Sequence, residues 1–275
     1  MSFYTSLSGL KGAQTDLSAI SNNIANVGST GFKKSRAEFG DLFASSPTQT
    51  TKMIAGQGTR LNGIKQQFTQ GTLEATDKTL DLGIAGEGFF VVEGSPPRKE
   101  ISYTRNGSFG IAPDRSVIDT TGAKLKLLPV DSNGNVTSTT FASMLDFKLP
   151  ANAPGNPAVA LSNISVAIDG LVTATYADGS SEALGKVAMA SFISLEGLRP
   201  VGDAHWQSTG DSGPPAINAA TNGPIGTIRS GTLERANVDV TEELVALIAA
   251  QRNFQANAKA IETARNMTQT IFNIN

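Results

Sequence analysis

The chain has 275 residues, a formal net charge of -2, no cysteine, one histidine and one tryptophan. That length accommodates one large domain or two. The lack of cysteine excludes disulfides and thiolate metal sites, the near-balanced charge with no long run of one sign speaks against a nucleic-acid face, and no apolar run approaches the ~20 residues that span a bilayer.

Residues 2–27 predict an amphipathic helix. Leu7, Leu10, Ala13, Leu17, Ile20, Ile24 and Val27 recur at helical spacing, with Lys11, Gln14, Asp16, Ser18, Asn22 and Asn23 on the other faces. The opening MSFYTSLSGLKGA lacks a basic region followed by a continuous apolar core, so a cleavable signal peptide is not expected. Residues 28–31 pair two glycines with two small polar residues and should break the helix. Residues 29–79 mix short alternating stretches with turn residues, which predicts extended arms or a long hairpin, with turns at Asn62-Gly63 and Gln70-Gly71.

Residues 80–232 predict an all-β domain. Residues 89–92 form a short apolar run of strand type, and Asn106-Gly107, Asn133-Gly134, Asp169-Gly170 and Asp178-Gly179 carry the chemistry of tight hairpins. The cleanest hairpin is 166–176, with Asp169-Gly170 between two alternating runs. Residues 150–157 hold three prolines and a glycine, cannot pair as a central strand, and read as an exposed linker where a domain could be inserted or lost.

Residues 233–275 predict a second helix. Asp239 followed three residues later by Glu242 resembles a capping box, and Glu243 adds negative charge at the positive end of the helix dipole. Its apolar stripe runs Val240, Leu244, Leu247, Gln251, Phe254, Ala258 and Ile261, turns polar at Arg265 and Thr268, and returns at Phe272. The fold class expected is therefore a mainly β inner domain with paired, coiled-coil-like N- and C-terminal helices and extended connecting arms. Its segments are helix 1–28, arm 29–79, β-rich domain 80–232 and helix 233–275. Leu7, Leu10, Leu17, Ile20, Ile24, Val240, Leu244, Leu247, Phe254 and Ile261 are the expected assembly seam. A pattern of this kind shows a face and not its partner, so packing of each helix on its own domain stays open.

Reactive chemistry is sparse. His205 stands beside Trp206, and a lone histidine makes no imidazole metal site by itself. No nucleophile elbow or phosphate loop occurs, and the glycines of 83–88 have the wrong spacing for a dinucleotide fingerprint. Asp131 to Asn135 lacks the closing glutamate of a calcium loop. No catalytic residue, metal or cofactor is expected.

Residues 21–33 (SNNIANVGSTGFK) closely resemble the N-terminal signature of the bacterial flagellar rod and hook family. Residues 81–90 (DLGIAGEGFF) and 103–109 (YTRNGSF) are similar to strand motifs of its inner β-domain, and 233–245 (LERANVDVTEELV) with 250–257 (AQRNFQAN) to its C-terminal signature. The signature positions are Asn22, Asn23, Asn26, Thr30, Gly31, Phe32, Gly86, Gly88, Phe89, Asn237, Gln251, Arg252 and Asn257. Residues 168–179, 184–189 and 197–202 with Trp206 resemble the hook branch, here in a short form without a large outer domain, and the distal-rod branch is the alternative. A compact 43–61 segment points mildly away from the rod.

The resemblance implies a non-enzymatic structural subunit of a helical homopolymer. Terminal helices would line a central channel, the arms would bridge neighbours, and the tube would act as a curved universal joint passing torque from rod to filament. Export would run uncleaved through the flagellar type III apparatus to the extracellular hook or basal body. Partners would be other copies, a hook cap, the distal rod and hook–filament junction proteins, with no nucleic acid and no membrane insertion. From the residues alone, two other classes stay open: a monomeric β-core binding module, and an enzyme with a site around His205.

Overall fold

The computed structural model describes residues 2–43, 56–95, 99–131, 134–153 and 156–273. The chain divides into two compact units. One comprises Met1–Val27, Lys33–Gln67 and Val238–Asn275, and the other Gly28–Phe32 and Phe68–Asn237. The fold is mostly β, with one long helix toward each end.

In the first unit, helix α1 (Ser2–Ala25) and helix α2 (Val240–Asn273) lie antiparallel. Gly9 of α1 faces Asn257 of α2, and Asn23 at the far end of α1 reaches Glu243 near the start of α2. The Asp239 carboxylate caps α2, accepting from the amides of Thr241 (2.8 Å) and Glu242 (3.3 Å). Asp239 acts here as a plain N-cap, because Glu242 turns to Lys34 at 3.5 Å. α1 ends at Ala25, two residues before the sequence pattern stops, and Asn26 and Val27 close its last turn onto the carbonyls of residues 22–24.

Strands β1 (Ser35–Phe43) and β2 (Gly56–Gln66) form the long hairpin of the expected arm. Asn62-Gly63 is not a turn. Glu38 pairs with Gly63 and Phe39 with Leu61, so Asn62 is the extra residue of a β-bulge. A bulge and a tight turn draw on the same residue types, which is why composition misassigns it. Much of the 43–61 segment that pointed away from the rod, residues 44–55, lies outside the described residues.

The second unit is built on a 14-stranded sheet. Its main path runs Asn152–Ala153, Asn156–Val166, Leu171–Tyr176, Ser181–Val187, Lys124–Leu128, Phe89–Glu93, Ile101–Thr104, His205–Gln207, Arg199–Gly202. Two short antiparallel pairs join distant segments: Leu82–Ala85 with Thr227–Ser230, and Leu73–Ala75 with Thr232–Glu234. Period-2 alternation splits the core into two layers. Phe90, Val92, Leu125, Leu127, Val187 and Met189 fill one, while Phe89, Val91, Leu128, Ala188, Ala190 and Trp206 fill the other. Residues 89–92 are apolar without a break because both faces of their strand are covered.

Asp169-Gly170 and Asp178-Gly179 turn hairpins as expected, with both glycines at positive φ. Asn106-Gly107 does not. Its loop is buried, and Gly107 carbonyl accepts the Leu82 amide at 2.9 Å, so the segment braces a neighbouring strand. Asn133 lies outside the described residues, as do Pro154 and Gly155. The rest of 150–157 is not a free linker. Asn152–Ala153 pairs with the start of Asn156–Val166 as an edge hairpin of the sheet, and Pro157 falls inside that strand. An edge position spares proline the ladder bond it cannot make.

Candidate assembly surfaces

The helix pair shows a seam shifted from the one read in the sequence. On α2 the less exposed positions are Glu243, Ala246, Leu247, Ala250, Phe254, Asn257, Ala258, Ile261 and Ala264, and among them Glu243, Leu247, Ala250, Phe254, Asn257, Ile261 and Ala264 keep alternating spacings of 4 and 3. Leu247, Phe254, Ala258 and Ile261 are shared with the expected stripe. Val240 (40% exposed) and Leu244 (45%) instead face outward, as does Gln251, while Ala250 is buried. Gln251 and Arg265 therefore do not sit in the intrachain seam. The cause is steric: Ala250 and Asn257 are small enough to let α1 approach, whereas a heptad template favours the bulkier Leu244. A Cβ on Gly9 would lie 2.7 Å from the Asn257 side-chain oxygen. On α1, Leu7, Leu10, Leu17 and Ile24 are half-buried and Ile20 is buried. Gly12 lets Phe39 and Thr59 of the hairpin in on another side, with Phe39 about 3.4 Å from where its Cβ would stand.

This unit leaves much apolar surface uncovered. Phe3, Tyr4, Leu244, Val245, Ile248, Met267, Ile271 and Phe272 of the two helices are all exposed, and so are Phe39, Leu61 and Ile64 of the hairpin. Large contiguous apolar patches on a folded chain mark interaction sites, which makes these side chains the candidates for one.

Asn23 ties the unit together. Its amide donates to the Ser35 carbonyl (2.9 Å) and to the Glu243 carboxylate (3.1 Å), and its side-chain oxygen accepts from the Ser35 amide (2.8 Å). One buried side chain thus joins α1, β1 and α2. Its partner Glu243 does more than charge the helix start. Nearby, burial pushes the Asp16 carboxyl up, partly opposed by Arg36. Among the other signature residues, Asn22 and Arg252 are exposed, and Asn26 donates to the Asn22 carbonyl. Asn257 donates to the Asn253 carbonyl at 2.9 Å.

The second unit has a buried polar junction that the sequence reading missed. Glu234 accepts from Arg105 Nη1 at 3.2 Å and from the Gly71 amide at 2.8 Å, and its main-chain carbonyl accepts from the Gly31 amide at 2.8 Å. Arg105 lies over the Phe89 ring at 5.3 Å, and burial lowers its pKa against the raising effect of Glu234. Asn237 donates to the carbonyl and hydroxyl of Thr69, and its amide reaches the Phe32 carbonyl. Gly31 needs its glycine: φ is +70°, and a Cβ would stand 2.6 Å from the Arg105 carbonyl carbon and the Asn106 nitrogen. Gly86 and Gly88 also take positive φ, and Gln70 holds that turn through Gly86 N and Ile84 O. Thr30 and Phe32 are half-buried, and Phe89 sits in an aromatic cluster with Phe68, Phe192 and Trp206. The available signal was one acidic and one basic residue inside two separate family motifs, Glu234 in LERANVD and Arg105 in YTRNGSF. Only the fold brings them together.

Among the described residues no group of three or more His, Asp and Glu side chains could hold a metal, and no helix is long and apolar enough to cross a membrane.

Three family models match. Residues 3–33 match the flagella basal body rod protein family, 83–174 the D1 domain of the flagellar hook protein FlgE/F/G, and 229–274 the C-terminal region of the flagellar basal body rod FlgEFG proteins. The flagellar basal-body rod protein FlgG of Buchnera aphidicola from Acyrthosiphon pisum is 32% identical over 98% of this chain and 98% of its own length. FlgG of Bacillus subtilis is 32% identical over 99% and 98%. The flagellar hook protein FlgE of Escherichia coli is 26% identical over 100% of both chains, in an alignment of 410 positions. A solved structure of Helicobacter pylori flagellar hook protein FlgE2 overlays 66% of this chain and 46% of its own length at 18% identity, and its TM-score of 0.25 carries no argument.

Proposed function

This chain belongs to the flagellar rod and hook protein family, a family of structural subunits, and we propose that within it the chain is a subunit of the basal-body rod. The carrying observation is length: the rod relatives align with it end to end, whereas the alignment with the hook relative needs 410 positions for this chain of 275. Polymerisation would use the apolar faces that α1, α2 and the hairpin leave exposed. Burying each such Leu, Ile or Phe in a neighbour would contribute ~1.5–3 kcal/mol. Partners on this reading are other copies, the neighbouring rod, hook, cap and junction proteins, and the type III export apparatus, with delivery uncleaved.

The hook is the second reading. It is favoured by residues 168–189, a hook-like stretch that forms the paired strands Leu171–Tyr176 and Ser181–Val187. Electron microscopy of the purified chain, concentrated in high salt, tests both. Straight tubes support the rod and curved tubes the hook. A folded protein that forms no ordered tube overturns the axial-subunit reading altogether.

A further inference from the structure

The chain's one histidine is placed where only its doubly protonated ring satisfies its neighbours. His205 and Asp119 are both buried. His205 Nδ1 lies 2.9 Å from the Asp203 carbonyl, and Nε2 lies 2.6 Å from Asp119 Oδ2. A main-chain carbonyl can only accept, so Nδ1 carries a proton. The other Asp119 oxygen is held by three donors, the amides of Thr121 (2.8 Å) and Ala123 (2.9 Å) and the Thr121 hydroxyl (2.7 Å). Three donors stabilise the carboxylate anion, so Nε2 carries a proton as well. The pair is imidazolium and carboxylate.

The histidine fastens a strained hairpin. Strands Arg199–Gly202 and His205–Gln207 are joined by Asp203 and Ala204, two non-glycine residues at φ of 50° and 57°. Left-handed backbone at such residues persists only where the surroundings enforce it. Here the enforcing contacts are the His205 bond to the Asp203 carbonyl and the Thr104 hydroxyl bond to the Ala204 carbonyl, 2.8 Å. Arg199–Gly202 is the last strand on its side of the sheet and is exposed throughout. The other charged groups around this cleft are Glu100, which accepts from Gln207, Arg199, which also pairs with Gln207, and the Asp203 carboxylate.

We propose that His205 and Asp119 form a pH-operated latch that holds the 199–207 edge hairpin shut while the imidazole is charged and frees it when the ring loses a proton. A neutral ring has one N–H for two acceptors, so it must release either the Asp203 carbonyl or Asp119. Burial opposes the charged ring, but Asp119 and the Asp203 carbonyl overcome it and raise the His205 pKa above 6.5. Burial likewise opposes the Asp119 anion, and His205, Thr121 and Ala123 overcome it and lower that pKa below 3.8. The signs follow by linkage. The histidine's share of stability is complete below pH 6.5 and disappears as pH rises through its folded pKa; the aspartate's is complete above 3.8 and disappears as pH falls through its folded pKa.

Because the full chain has one histidine, its ring signals titrate alone in an NMR experiment on the monomer. The expected midpoint lies above 6.5 and falls to or below it in Asp119→Asn. A wild-type midpoint at or below 6.5, or one that Asp119→Asn leaves unmoved, overturns the latch. Should Asp119→Asn fail to fold, hydrogen exchange decides. After correction for intrinsic rates, amides of 199–207 should open at least several-fold more at alkaline pH in the wild type, while His205→Gln, which cannot titrate, should show no such rise. Equal pH dependence in the two proteins refutes the proposal.

Discussion

The β-domain completes its own core and the helix–hairpin unit does not. In the β-domain, Leu82, Phe90, Val91, Val92, Val117, Leu125, Phe147, Val172, Val187 and Met189 are all fully buried. In the other unit, the buried apolar residues among those described are Ala19, Ile20, Ala37 and Ala250, while Phe272 at the end of α2 is 77% exposed. Three of those four are alanines, so even the buried seam encloses little apolar volume. Asn23, Lys33 and Glu243 of that unit are buried as well. One chain thus carries a region whose stability is local and a region whose apolar surface remains to be covered. Long helices with so little burial are marginal in water, and neighbours in a polymer would supply what the single chain lacks.

The sharpest way to break this contrast is a pair of truncations. Phe90→Ala in the β-domain should cost ~3–5 kcal/mol, the range for emptying a well-packed aromatic site. Leu247→Ala in the half-buried seam of α2 should cost about 1 kcal/mol, because much of that side chain already meets solvent. Urea unfolding of the monomer, followed by the Trp206 signal for the β-domain and by helix circular dichroism for the other unit, reads both. Equal losses would mean that the helical unit has a core as complete as the sheet.

The polar interiors should differ in the same direction. Glu234→Ala leaves Arg105 charged and buried without its partner and orphans the Gly71 amide, which predicts a loss of ~3–5 kcal/mol. Asn23→Ala removes an amide's bonds to Ser35 and Glu243 without stranding a buried cation and should cost about 1–2 kcal/mol. The Arg105–Glu234 pair also redraws where the β-domain can be cut. A fragment of residues 75–232 lacks both Phe68 and Glu234, so it should melt well below one of residues 68–237. Indistinguishable melts would show that the junction is decoration on an already complete sheet.

How much of this was legible depends on how local the cause was. The Asp239 cap, the Asp169-Gly170 and Asp178-Gly179 hairpins and the apolar 89–92 strand follow from a few neighbouring residues, and each stands in the structure where sequence places it. The stripe of α2 was partly legible: Leu247, Phe254, Ala258 and Ile261 are partly covered in the single chain, and Glu243, Ala250, Asn257 and Ala264 are covered too, whereas Val240, Leu244 and Gln251 are exposed. Hydrophobicity ranks leucine over alanine, and only the closeness of the partner helix reverses that order. Arg105 with Glu234, and His205 with Asp119, were not legible, because 129 and 86 residues separate the partners.

That phase shift makes a smaller, more discriminating prediction. Leu244 is on the expected seam yet faces solvent in the single chain. Leu244→Asp should change monomer stability by no more than ~0.5 kcal/mol, as surface substitutions do. The same carboxylate buried without a partner in a polymer would be severely unfavourable. Sedimentation of assembled material alongside a monomer melt separates the two. Assembly that survives Leu244→Asp would move the polymer contacts off this face of α2.

The smallest expected effect lies at the far edge of the β-domain. Gly155 lies outside the described residues, but its flanks are fixed: Asn152–Ala153 and Asn156–Val166 pair at the outermost position of the sheet, and Ala151 and Asn152 are exposed. The tip of this hairpin adds little to either core layer: Ala153 and Val159 join only the satellite cluster with Ala174 and Tyr176, while Leu161, Ile164 and Val166, further along the strand, reach the main core. Loop closure penalises added length weakly, about 0.6 kcal/mol for each doubling. A short peptide tag at Gly155 should therefore leave the monomer melt and the yield of assembled tubes within error of the untagged chain, and an antibody should find it along the tube. The matched insertion at Gly31 should fail, because that residue sits at positive φ against the Arg105 and Asn106 backbone with its amide bonded to the Glu234 carbonyl. Tolerance at Gly31 with loss of assembly at Gly155 would reverse the comparison, making the sheet edge the polymer contact and the glycine turn a passive connection.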